Sequence, residues 1–436
     1  RFTAALTVAL LLVVAVRGEE DAGGEGDVSG PSGTLAGYNP ASDVEQHARI
    51  DMDIRDIEAA HASDPPDYVT SKGIYTNGKN SDSNGEFRTI QGFSKDYATN
   101  TDYQTEPFAI LANNFWGAWD YGDQHLIAAF DGTDNSYGNY ATGALGSDDG
   151  ARKQIIKKVI KFQVVMQFAL HELEAGLKKY NDESLPTASR YGIGGAVHAL
   201  DEWWAFYAGS LEAGTANGFG PYILAEKRSK NFGTNTCNVG NGGVSCVNKH
   251  LIDRTNNLKV LMQSEGNSAE ILKDVKCMRA LLKVGPIQGC LEYAYKSSVA
   301  SAADLPVQKA EGWAFCGAAL PFLHEVDQTA AASVKAEMTF TNDNAPTWAT
   351  VRDAFSPANL NKMGVTCADI GSYATTNAGS QHTVCTDTSD GPSNAHGSVS
   401  DCSSTDVDAS GDGSSLHSGL SAVAFASVLA AALAAM

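Results

Sequence analysis

Asp201-Glu202-Trp203-Trp204-Ala205-Phe206-Tyr207-Ala208-Gly209-Ser210-Leu211-Glu212 decides the reading of this chain, because its core returns later as Glu311-Gly312-Trp313-Ala314-Phe315. The two glutamates stand 109 positions apart (202 to 311), too long for a solenoid repeat and the right scale for two related lobes. Each copy lies in an apolar, Gly- and Ala-rich segment, Gly194 to Gly214 and Val307 to Asp327. Both segments read as helices of about twenty residues with little polar surface, and therefore as buried helices. A carboxylate in the middle of a buried helix needs a hydrogen-bond donor, a cation or a metal. Glu202 and Glu311 hold equivalent places, which suggests a site between lobes. For either residue alone, a bond to a Trp indole or to backbone that merely fixes packing explains as much. The pair, with histidines nearby, tips the reading toward a site.

The segments around these two helices predict a mainly α fold: two related helical lobes from an internal duplication, with long ordered loops. Lobe one is placed at about 39–222 and lobe two at about 223–385, together forming a domain over 39–385. Asp43 to His61 has helical spacing, with Ile50, Ile54, Ile57 and Ala60 as its apolar stripe. His47 and Asp51 sit one turn apart there, and most of the surrounding acidic density reads as a solvated face. Residues 65–105 are turn-rich but too aromatic for disorder, an ordered irregular excursion. Arg88 within it is a candidate anion holder, against the plainer reading of a surface arginine.

Helices are expected on either side of Gly117. Beyond it, Asp120, Tyr121, Asp123 and His125 bring hard oxygen and imidazole donors close in sequence. Phenolate and carboxylate are what a ferric ion prefers, although core packing explains Tyr121 equally simply. Ala151 to Tyr180 is the clearest helix, and His171 and Glu174 share one face of it. A zinc-protease helix needs His-Glu-x-x-His, and position 175 is Ala175, so that reading fails. His198, Asp201 and Glu202 lie within one turn of the first organising helix. His250 to Glu265 and Ala269 to Val284 read as helices, with Gly285-Pro286 as a break before Ile287 to Ser298.

At 436 residues the chain can bury a large core, and its net charge of −20 argues against nucleic acid and anionic membrane as partners. Phe2 to Val16 is apolar apart from two threonines and ends at Arg17-Gly18, which reads as a secretory signal over 1–18. An acidic, Gly-rich leader occupies 19–38. A Ser/Thr/Asp/Gly stalk follows the body over 386–418, then an apolar tail over 419–436. Small residues at Ser410-Gly411-Asp412, a polar spacer and a terminal apolar run favour a GPI signal over a membrane-spanning anchor. Either would display the body outside the cell. The eight cysteines all follow residue 236, and a secreted context predicts disulfides. Cys237 with Cys246 and Cys367 with Cys385 are natural loop closures; Cys277, Cys290, Cys316 and Cys402 are left open. No strand followed by Gly-x-Gly-x-x-Gly, no P-loop and no nucleophile elbow occurs.

The Asp201–Glu212 stretch resembles the signature of the algal Fe-assimilating (FEA) proteins, a domain shared with the diatom phytotransferrins. His47 to Ile54, Tyr75 to Ser81, Arg88 to Ser94, Asp120-Tyr121, His171 to Glu174, Leu224 to Arg228, Pro286 to Gly289, Tyr293 to Tyr295 and Lys309 to Gly312 extend the resemblance over roughly 40–370. Trp203 departs from it, since glycine is the expected residue there. The resemblance implies a low-iron-induced protein of the periplasm or cell surface that binds Fe(III) ahead of uptake, with carbonate as a co-bound anion. It supplies no ligand assignment. Chemistry alone nominates Glu202, Glu311, His198, Asp201, Glu174 and His171 as metal ligands, then Asp51 and Tyr121, with Arg88 for the anion. The expected partners are ferric ion, carbonate, a membrane through the tail and an uptake component the sequence does not identify. A ligand-free coat protein and a helical metallohydrolase are the competing readings.

Overall fold

Apolar residues recur on a wide face throughout residues 149–181, and that segment forms the spine on which both glutamate helices rest. The computed structural model describes residues 33–214, 216–237, 243–374 and 381–383. Among them the architecture is mainly α, with short antiparallel ladders at Asp82–Ser83/Glu86–Phe87 and Ser372–Ala374/Gln381–Thr383. The spine begins at Asp148, whose side chain caps it by accepting from Ala151 N. It runs as α-helix over Asp149–Val159, widens to a π turn over Ile160–Val165, and continues as α-helix over Met166–Asn181. From the wide turn Gln163 Nε2 donates to Ala314 O of the neighbouring helix at 2.7 Å.

The Glu202 helix, Ala196–Ala208, packs against Met166–Asn181, and the Glu311 helix, Leu305–Val326, packs against Asp149–Val159. A 31-residue helix, Ser268–Ser298, lies along the Glu311 helix and is joined to it by the Cys290–Cys316 disulfide. The approach is close enough that a Cβ at Gly289 would fall 2.3 Å from the Phe315 ring. The buried side chains of both glutamate helices belong to one continuous core.

Several boundaries differ from the sequence expectation, each for a local reason. The Glu202 helix stops at Gly209 (φ +84°) instead of running to Gly214, because a Cβ at Gly209 would meet Asp51 Oδ2 at 2.4 Å. The expected break at Gly285-Pro286 does not occur: Ser268–Ser298 is continuous through Pro286. A proline inside a helix costs about 3 kcal/mol, and burial of the residues on both sides of it offsets that. Residues 65–105 contain a ten-residue helix, Tyr68–Asn77, capped by Asp67. Its apolar face is broken by Thr70, Gly73 and Thr76, so periodicity did not reveal it. Asp43 to His61 forms two helices, Glu45–Ala48 and Ile50–Ala60, and helices do flank Gly117, at Pro107–Trp116 and Tyr121–Asp131.

The Cys237–Cys246 bridge closes its loop as expected. Cys277 and Cys367 are also disulfide-bonded, whereas Cys385, the stalk, the tail, the signal and most of the leader lie outside the described residues. No helix among the described residues is long and apolar enough to cross a membrane.

His125 is buried against Tyr137 and Tyr140, with Nε2 2.6 Å from Tyr140 Oη. Burial drives its pKa down to about 3. Between the ordinary histidine pKa of about 6.5 and that value, the unfolded chain takes up a proton that the folded chain refuses. His125 therefore withdraws stability as pH falls, by up to about 1.4 kcal/mol per pH unit. His61, lowered to about 4 by burial, acts in the same direction, and Asp53, raised by burial to about 6, acts oppositely. Urea midpoints between pH 7 and pH 4 are expected to fall less steeply in His125→Gln than in the parent chain. An unchanged slope would mean that His125 protonates without unfolding cost.

Candidate metal centre

Two buried aspartates hold the chain on either side of His47 against the Glu202 helix, Asp51 at the helix's C-terminal exit and Asp201 at its middle. Asp51 accepts from Ser210 Oγ at 2.7 Å and from Leu211 N at 2.8 Å, tying down the chain that leaves the helix. Asp201, inside the helix, accepts from Tyr38 Oη at 2.5 Å, Ala41 N at 2.9 Å, Ser42 N at 2.8 Å and Ser42 Oγ at 2.7 Å. Burial raises the pKa of both carboxyls, against the pull of these donors. The turn Glu45–Ala48 is thereby pinned against the helix, and His47 comes to face Glu202.

Three ligand atoms, from His47, His198 and Glu202, lie within 4.8 Å of one another. Glu202 Oε1 is 2.7 Å from His47 Nε2 and 3.3 Å from His198 Nε2, its neighbour one helical turn back. Burial would raise the Glu202 pKa, but His47 and His198 overcome it and hold the carboxyl well below its ordinary range. Burial likewise opposes protonation of His198, and the Glu202 carboxylate outweighs it and raises its pKa.

The surrounding groups decide which nitrogens can act. Ser42 Oγ gives its proton to Asp201 Oδ2, so at 2.8 Å it accepts from His198 Nδ1, leaving Nε2 as the ligand atom of the neutral ring. Arg88, just after the strand Glu86–Phe87, sets Nη2 2.6 Å from His47 Nε2. A single ring nitrogen cannot accept from Arg88 and donate to Glu202 together. If His47 Nε2 accepts from Arg88, it has no hydrogen to give the Glu202 carboxylate 2.7 Å away, and two acceptor atoms stand against each other. The buried His47 Nδ1 has no hydrogen-bond partner among the described residues. A cation between the two imidazoles and Glu202 resolves this conflict, so the donor set fits a metal ion.

The other nominated residues lie elsewhere. Glu311 is not in the cluster: its carboxylate faces Lys158 Nζ at 3.2 Å and takes a hydrogen bond from Tyr293. Glu174 is gripped through both oxygens by Arg279, and His171 Nδ1 meets Glu106 Oε1. Tyr121 is buried and stacked on Trp116, its hydroxyl without a partner among the described residues. The three indoles of the repeated motif are also accounted for. Trp203 donates to Thr255 Oγ1, Trp204 to Leu35 O and Trp313 to Tyr137 O, so none of them serves as partner to Glu202 or Glu311. His47 is the member of the cluster that the nominations omitted. Its helical phase relative to Asp51 is set by the interruption at Arg49, which spacing alone does not disclose.

The fold and this cluster describe a helical protein with a half-buried group of two imidazoles and one carboxylate that could hold a metal ion. The chain belongs to the family of low iron-inducible periplasmic proteins, which matches residues 10–386. Nothing matches it among curated proteins or among solved structures.

Proposed function

We propose that the chain captures ferric iron outside the cell for uptake, without turnover, using His47, His198 and Glu202 as ligands and Arg88 to hold a co-bound carbonate. The convergence on His47 Nε2 carries the reading, because the metal-free arrangement leaves opposed electron pairs that a cation would reconcile. Membership in a low-iron-induced periplasmic family supports iron as the cargo. Three protein ligands leave positions open for an oxyanion, and a guanidinium matches carbonate with two parallel hydrogen bonds. A secretory signal and a GPI-attached tail would place the body at the cell surface.

A ferric titration of the full chain, with and without bicarbonate, tests this. Saturable binding should raise the melting temperature, since ligand at 100 times Kd stabilises by about 2.7 kcal/mol. The cluster contains no tyrosine, so no intense phenolate band is expected; such a band would instead bring a tyrosine such as Tyr121 into the site. Absence of saturable binding would leave the coat-protein reading. Arg88→Gln is expected to lose most of the bicarbonate dependence and about tenfold in affinity, or 1.4 kcal/mol. If bicarbonate enhances binding equally in that variant, Arg88 does not hold the anion.

A further inference from the structure

The chain is acidic overall, yet cations collect on one side of the spine helix. Lys153, Lys157 and Lys161 follow at one-turn intervals. Lys157 and Lys161 share one carboxylate, Glu58, at 2.5 and 2.7 Å, and the buried Lys158 pairs with Glu311. Lys227, on the helix Pro221–Phe232, stands close enough to Lys157 for their charges to interact. Among the described residues, Lys153 and Lys227 have no ion-pair partner. Asp149, one turn before Lys153, is engaged by Tyr68 Oη at 3.0 Å and Arg152 at 3.7 Å. Two carboxylates, Glu58 and Glu311, therefore face five ammonium groups. Neighbouring Arg228 does not lessen the imbalance, since Glu292 is shared between it and Lys296. The buried Nε of Arg228 has no hydrogen-bond partner among the described residues.

A cleft of about 330 Å³ opens beside this row, walled by Glu58, His61, Lys153, Gln154, Lys157 and Val307, so that two of the five ammonium groups, those of Lys153 and Lys157, line it. Burial brings Lys161 down to about 8, against the opposing pull of Glu58. The cleft lies apart from the metal centre: Glu58 follows His47 by eleven residues, on the order of 15 Å along a helical path.

We propose that this cleft binds a small multivalent oxyanion, a phosphate or a polycarboxylate, independently of iron. Two ammonium groups on the wall, that of Lys153 unpaired and that of Lys157 sharing Glu58 with Lys161, favour an anion of more than one charge, and Gln154 adds a neutral hydrogen-bonding group.

Calorimetric titration of the metal-free full chain with inorganic phosphate and with citrate tests the proposal, with acetate as the monovalent control. Saturable binding of phosphate, of citrate or of both is expected, each result identifying the source of the anion, with acetate far weaker. Lys153→Gln removes the unpaired ammonium of the cleft wall and should weaken binding at least about tenfold. Its melting temperature and ferric affinity should match the parent's. No saturable binding of either anion at millimolar concentration would overturn the proposal. So would equal affinity in Lys153→Gln, or acetate binding as tightly as citrate.

Discussion

Glu202→Gln is expected to bind ferric iron at least about 100-fold more weakly than the parent chain, a loss of about 2.7 kcal/mol. The amide keeps the shape of the side chain and can donate its N–H to His198 Nε2, so the fold should persist. What disappears is the anionic ligand of the cluster. The same change removes the group that raises the His198 pKa, so that pKa should fall in an NMR titration, showing that the site was altered as intended. Competition against a ferric chelator at neutral pH gives the affinity. Unchanged affinity with the His198 shift in place would mean that iron binds elsewhere. Glu311→Gln makes the contrasting control. It leaves the buried Lys158 without its carboxylate and should lower the melting temperature while ferric affinity is kept.

Asp201→Ala, one residue away, is expected to cost on the order of 4 kcal/mol of stability, because a buried carboxylate that accepts from four donors is lost at once. Its effect on iron should be smaller and indirect. Without Asp201, Ser42 can turn its proton toward His198 Nδ1, which moves the ring proton to Nε2, the nitrogen a metal needs. A positioning contact of this kind is worth about tenfold to 100-fold in metal affinity. Urea denaturation and ferric competition on the same sample separate the two effects. Asp201→Asn, which retains an acceptor oxygen, should recover part of both. If Asp201→Ala unfolds at the parent's urea concentration while iron binding vanishes, Asp201 is itself a ligand.

The repeated Glu-x-Trp-Ala-Phe motif was legible without coordinates, and so was the placement of His198 and Glu202 on one helical face, since four residues make one turn. Their meeting with His47 was not. It requires two aspartates, Asp51 and Asp201, whose acidic side chains look like ligands in the sequence but bond to backbone and hydroxyl groups far along the chain. Asp201 reaches Tyr38, 163 residues away, and Asp51 reaches Leu211, 160 residues away. Local spacing carries no record of such partners. The same holds for Glu174 and Glu106, whose partners, Arg279 and His171, lie 105 and 65 residues distant.

The sequence by itself determined the mainly helical class, the two glutamate helices, the short disulfide loop at Cys237–Cys246 and the family resemblance. All of these depend on periodicity, capping or near neighbours along the chain. Only the tertiary structure decided which carboxylates meet histidines in the candidate site and which are clamps. A buried carboxylate's role is set by what faces it. Glu202 faces two imidazoles, whereas its sequence counterpart Glu311 faces an ammonium group.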